Sequence, residues 1–262
     1  MKSNSASLAL HWPYSMSILF CFYNAQSCKP VRGAPSRRFL QKVFGEWMAS
    51  TASKPDSSYF WDKLHSLSGI IPIGAFLLEH FFENSYALVS AGKYDYISGK
   101  LETIPWRVPV EFLFIWLPIA FHGVYGLHVW WKGKTNVWGH PWMANWLYVL
   151  QRWTGIIAFA YIIWHVWTER FLTGGISPYS VVARSFTNPY FITFYVVGIL
   201  AASFHLGNGL WNFCCKWGIA VTPRAQRAAG WLGAVVAVAF SVVGLAIVAG
   251  FTFGWHPFSN YL

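Results

Sequence analysis

The chain has 262 residues, of which 55% are hydrophobic and only 11% charged, against about 25% charged in soluble proteins. That balance excludes a disordered protein, a nucleic-acid binder and an ordinary soluble enzyme, and it predicts an all-α membrane protein that crosses the bilayer several times. The net charge of +10 is read as topology, because basic residues gather in cytoplasmic loops.

Residues 1–55 read as a leader, disordered or belonging to a misassigned start, with Met48 as the initiator. The apolar run Ser17–Tyr23 in it is too short to span. A cleaved secretory signal there would place the new N-terminus outside, against the charge distribution. Residues 56–262 read as one membrane domain. Five stretches are long enough to cross about 30 Å of hydrocarbon: Leu67–Ala91, Val108–Trp131, Trp146–Leu172, Pro189–Trp217 and Ala228–Gly254. Between them lie turn and charge signals such as AGKYDYISGK, KGKTNVWGHP and VTPRAQR. Pro72 and Pro118 fall inside spans, where membrane helices tolerate proline as a kink. The tryptophans at the span ends, Trp130, Trp131, Trp146 and Trp211 among them, suit an interfacial belt.

Five spans put the N-terminal segment on the same side as the second and fourth loops. From Met48 onward that side carries eight Lys and Arg, and the opposite side carries five: Lys93, Lys100, Arg107, Arg170 and Arg184. The N-terminus is therefore expected in the cytoplasm and the chain in the cytoplasmic membrane. The cysteines, Cys21, Cys28, Cys214 and Cys215, form neither CxxC nor CxxCH. Neither a zinc ribbon nor a covalently attached haem is indicated.

The histidines carry the chemistry. His80, His122, His165 and His205 fall one per span in the first four spans, at intervals of 40–43 residues. A polar side chain deep in lipid marks a functional site by default. Depth sorts them. His80 and His165 lie past the midpoints of outward spans, and His122 and His205 past the midpoints of inward ones. Two stacked bis-histidine sites are what two b-type haems require, each iron taking an imidazole on either face. His122 and His205 are each followed at i+4 by glycine, Gly126 and Gly209, which leaves room for a porphyrin edge or a close helix. His80 and His165 are followed instead by Glu83 and Glu169. A zinc or di-iron site would need further ligands at i+3 or i+4, and no such pair of histidines exists.

The segments DKLHSLSGIIPIGAFLLEH, FLFIWLPIAFHGVYG, NWLYVLQRWTGIIAFAYIIWHVWTER and FHLGNGLWNFCCKWGIAVTPRAQR strongly resemble the di-haem cytochrome b membrane anchors of succinate:menaquinone oxidoreductases and related fumarate reductases. The resemblance runs from about Tyr59 to the end of the fifth span, which matches only in hydrophobicity. It implies five transmembrane helices, the first four forming a haem-binding bundle. It implies two b haems, a proximal one on His122 and His205 and a distal one on His80 and His165. It also implies attachment to a flavoprotein and an iron–sulfur subunit on the cytoplasmic side, with electrons passing to menaquinone near the distal haem. Dicarboxylate chemistry would then belong to the flavoprotein subunit.

Within that frame His65, Ser66, Arg152 and Lys216 are candidates to bind haem propionates. Glu111, Glu83 and Glu169 are candidates for proton and quinone handling, Glu111 first and Glu79 a weaker fourth. Two other readings stay open: the cytochrome b subunit of a hydrogenase or formate dehydrogenase, and a haem-free transporter that uses the histidines for protons. The direction, succinate oxidation or fumarate reduction, is open too.

Overall fold

The computed structural model describes residue 41 and residues 57–259; the expectation for residues 1–55 therefore lies outside the described residues but for that one position. Those residues are helical with no strand. Helices α1 (Ser57–Ile70) and α2 (Pro72–Ser85), with the tight turn Tyr86–Leu88, make the first span, Ser58–Leu88. After α3 (Ala91–Glu102), the second span is α4 (Arg107–Glu111), a π-helical turn Phe112–Trp116 and α5 (Leu117–Lys132). The third is α6 (Met143–Val166) with a π-helical turn Trp167–Phe171. Helix α7 (Pro178–Ser185) precedes the fourth and fifth spans, α8 (Pro189–Lys216) and α9 (Pro223–Phe253).

All five are long and apolar enough to cross a membrane. The first span starts and ends before the stretch that hydropathy selects. Its opening turns, SYFWDKLHS, are too polar to score as lipid-facing yet continue the same helix. The Pro72 site interrupts α1 and α2 only locally, because Ile71 and Ala75 keep their main-chain bonds to Leu67 and Ile71, at 2.9 and 3.1 Å.

Local chemistry sets the starts of the last three helices. Each begins with a polar cap followed by proline: Ser177–Pro178, Asn188–Pro189 and Thr222–Pro223. The cap side chain accepts an N–H of the first turn, and the proline has no N–H to leave unpaired. Gly218 and Gly254, with φ of 71° and 63°, end the fourth and fifth spans in the left-handed conformation that glycine adopts without strain.

Packing is uneven. Span four lies at the centre, against spans five, three and one. Spans four and five cross closely, with Gly207 and Gly233 backbone to backbone. The best-filled core lies near the end remote from the start of span one, where Tyr94, Tyr161, Phe186, Tyr195, Ile199 and Phe251 pack together. Elsewhere large apolar side chains such as Leu78, Val124 and Val238 face outward, 62%, 64% and 62% exposed. Outward apolar faces of this kind suit a lipid surround.

Candidate functional site

A cavity of about 2570 Å³ runs between the spans, larger than the usual range of about 300–1,000 Å³ for small-ligand pockets. Every site residue singled out in the sequence lines it: His80, His122, His165, His205, His65, Ser66, Arg152, Lys216, Glu83, Glu111 and Glu169. The four histidines meet in two pairs, on four different helices.

The first pair lies toward the end of the bundle where span one begins, here the entry end. The ring centroids of His122 and His205 are 6.1 Å apart, with planes 87° to one another. Each ring is seated in the same way. His122 donates from Nδ1 to the His65 carbonyl at 3.0 Å, and His205 donates from Nδ1 to the Gln151 carbonyl at 3.0 Å. Four residues beyond each carbonyl is a glycine under the ring. A Cβ on Gly155 would lie 2.8 Å from Cε1 of His205, and one on Gly69 would crowd Cε1 of His122 in the same way. Segments 65–69 (HSLSG) and 151–155 (QRWTG) thus form two equivalent seats. Gln151 also donates from Nε2 to the His205 carbonyl at 3.1 Å, and Asn208 donates to Gln151 Oε1 at 2.7 Å. Gly126 and Gly209, noted for their i+4 spacing, make room for His65 and Gln151 respectively.

His65 stacks on His122, centroids 4.1 Å apart and planes 12° from parallel. Its Nε2 is buried and has no hydrogen-bond partner. Around it lie the other entry-end candidates. Lys216 donates to the Asp62 carbonyl at 2.9 Å, and Trp217 Nε1 donates to Ser66 Oγ at 3.0 Å. Arg152 is turned to the end of span two, where it donates to the carbonyls of Val129 at 2.6 Å and Trp130 at 3.1 Å, with its guanidinium over the Tyr148 ring.

The second pair lies at the far end. His80 and His165 have centroids 5.7 Å apart and planes at 73°. Phe76 stacks on His80 and Tyr161 on His165. The polar surroundings differ from the entry end. Asn84 donates to the His80 carbonyl at 2.8 Å and accepts from Tyr94 Oη at 3.0 Å. Burial, with Glu83, Glu169 and Asp95 nearby, pushes the Tyr94 phenol up, which keeps it a donor. His165 Nδ1 lies 3.2 Å from Tyr195 Oη, and Tyr195 donates to Glu169 Oε1 at 2.7 Å.

The three acids part company here. Glu83 accepts one hydrogen bond, from Ser98 at 2.7 Å. Glu169 accepts from Tyr195, Ser185 and Thr168 on one oxygen, while the other is buried without a partner. Glu111 is clamped between two cations, Arg107 Nε at 2.9 Å and Arg170 at 3.2 Å. The second of these ties spans two and three together at their two π-helical turns.

Sequence reading misses Gln151, Tyr195, Asn84 and Ser98. Only Gln151 leaves a signal, the match of QRWTG to HSLSG. Among the described residues no three His, Cys, Asp or Glu side chains gather into a metal cluster.

Two comparisons bear on the chain. The family model described as succinate dehydrogenase/fumarate reductase transmembrane subunit matches residues 134–246. The succinate dehydrogenase cytochrome b558 subunit of Bacillus subtilis (strain 168) is 38% identical over 195 residues, covering 74% of this chain and 96% of that protein.

Proposed function

Because the chain belongs to the succinate dehydrogenase/fumarate reductase transmembrane subunits, we propose that it binds two b-type haems, one between His122 and His205 and one between His80 and His165. In this reading it links a flavoprotein and an iron–sulfur subunit at the entry end to menaquinone at the far end. In the same reading the entry end faces the cytoplasm, which the eight-to-five bias of Lys and Arg supports. The observation that carries the proposal is the pair of facing imidazole pairs within one cavity. The same family membership sets aside the hydrogenase and formate dehydrogenase readings.

The residues fit the group. Two imidazoles whose nitrogens each lie about 2 Å from one metal have centroids about 6 Å apart, and the pairs stand at 6.1 and 5.7 Å. The orphaned Nε2 of His65 would be costly without a partner, on the order of 1–3 kcal/mol. A haem propionate would supply one, with Ser66 and Lys216 beside it. Arg152 serves the propionates less directly, because its guanidinium already caps the end of span two. When bound, the haems supply two one-electron carriers in series across the bilayer.

The chain's own contribution is orientation and proton supply. Gly69 and Gly155 let the rings of His122 and His205 lie flat against the neighbouring helices, and the two carbonyls fix which ring nitrogen carries the proton. At the far end a quinone needs protons as it takes electrons. Glu83 is the best placed to pass them: it lines the cavity, one turn from His80, and no salt bridge reaches it among the described residues. Glu111 has two guanidiniums to satisfy. Glu169 is engaged by three hydroxyls.

Two measurements test this. A reduced-minus-oxidised spectrum of the purified complex, with haem quantified per chain, should give two b-type haems. His80→Ala should remove one and leave the other. A well-folded complex without haem overturns the reading and leaves the proton transporter. Separately, Glu83→Gln should lower quinone-reductase turnover by roughly 10²-fold, the lower end for a lost general acid, while succinate oxidation by a soluble dye acceptor stays unchanged. Unchanged quinone turnover would remove Glu83 from the proton path.

A further inference from the structure

The four imidazoles that face the cavity are held by different partners. His122 and His205 give Nδ1 to main-chain carbonyls. His80 is met by the Asn84 amide, whose nitrogen lies 3.4 Å from Nδ1 and 3.5 Å from Nε2. His165 meets a side-chain hydroxyl, Tyr195 Oη, at 3.2 Å. Tyr195 is 3% exposed and sits in the core at the far end. Its single proton goes to Glu169 Oε1 at 2.7 Å, so its oxygen is left to accept. The direction of the chain is thereby fixed: His165 Nδ1–H donates to Tyr195, and Tyr195 donates to Glu169.

Glu169 is itself held in place. The same oxygen accepts from Ser185 at 2.7 Å and from Thr168 at 3.1 Å. Among the described residues no ion pair reaches this carboxylate. The hydrogen bonds through Tyr195 connect it to the imidazole. The ring has little freedom otherwise: Tyr161 stacks on one side at 5.5 Å and 20°, and the Tyr195 ring meets it edge-on at 5.7 Å.

We propose that Tyr195, backed by Glu169, is a positioning residue for His165, which fixes the ring and makes its other nitrogen a stronger electron donor to the distal iron. A hydrogen bond from the far nitrogen of a ligating histidine to an electron-rich acceptor orients the ring and raises its basicity. A more basic axial ligand favours the ferric state and holds the potential down. The entry-end imidazoles donate to neutral carbonyls and lack this carboxylate backing. The inference rests on the proposed haem ligation.

The test uses the complete complex with Tyr195→Phe, which keeps the ring and removes the hydroxyl. The two haems are followed by redox titration, and the distal one is identified by its loss in His80→Ala. The distal midpoint should move to a more positive potential while the proximal midpoint stays in place. The ferric electron paramagnetic resonance signal of the distal haem should shift as the His165 plane is freed. Glu169→Gln, which leaves the phenol but removes the charge behind it, should move the distal midpoint in the same direction by less. A distal haem retained with an unmoved midpoint in Tyr195→Phe overturns the proposal. Should Tyr195→Phe fail to assemble, an unmoved midpoint in Glu169→Gln overturns it equally. Absence of haem from the unmodified complex would sink the ligation reading itself, a different outcome from haem present and unshifted.

Discussion

Gly155→Val empties the proximal haem site while His122 and His205 are both still present. A Cβ at that position would stand 2.8 Å from Cε1 and 3.2 Å from Nδ1 of His205, and two further methyls would crowd the ring more. The imidazole cannot retreat along its own helix without breaking its 3.0 Å bond to the Gln151 carbonyl. Overpacking of this kind costs typically 1–3 kcal/mol, and here the strain falls on a ligand. Gly69→Val acts in the same way on His122. Haem per chain should fall by half in either variant, with the distal haem's spectrum intact. Gly92→Ala, where a Cβ meets nothing within 4 Å, is the control and should keep both. Full haem content in Gly155→Val would show that the seat is not what places the ring.

The second large effect concerns span five, which holds none of the four paired histidines. Gly207→Leu or Gly233→Leu should prevent the fifth span from docking on the fourth. A Cβ on either glycine would collide with the carbonyl of the other, and one on Gly207 would also lie 2.8 Å from the Ala237 Cβ. Because the obstacle is backbone, rotamer changes cannot relieve it. Close helix approach through small residues is a main source of association in lipid, where hydrophobic burial gives little. The loss should exceed the upper end of the usual overpacking cost, about 3 kcal/mol. Thermal stability of the detergent-purified complex, and the amount of chain recovered in membranes, read it out. A melting curve like that of the unmodified complex would mean the helices separate there without penalty.

Much of this was legible before any coordinates. Apolar length marks the five spans, but the segments holding Ser177–Pro178 and Thr222–Pro223 read as breaks between spans, whereas each pair caps and opens a helix. The pairing of His122 with His205 and His80 with His165 followed from depth alone, because antiparallel helices of similar length bring equal depths together. What could not be read depends on rotation about a helix axis and on contacts between helices. Nothing along the chain joins Tyr195 to His165, 30 residues away. Glu111 reads from the chain as the first candidate for proton handling, yet Arg107 on its own helix and Arg170 on another span both pair with it. The glycines that mattered most to the ligands were not those beside them in sequence, Gly126 and Gly209, but Gly69 and Gly155 on the facing helices. The π-helical turns at Phe112–Trp116 and Trp167–Phe171 follow no residue pattern that reading the chain would single out.

The two seats also show how the proximal site is divided along the chain. His122 rests on span one and His205 on span three, so each ring is cradled by the helix that immediately precedes its own. Each helical hairpin therefore carries one imidazole of the proximal site together with the carbonyl that orients it. The proximal site is thus made of two like halves, one from each hairpin, whose rings stand 6.1 Å apart between centroids.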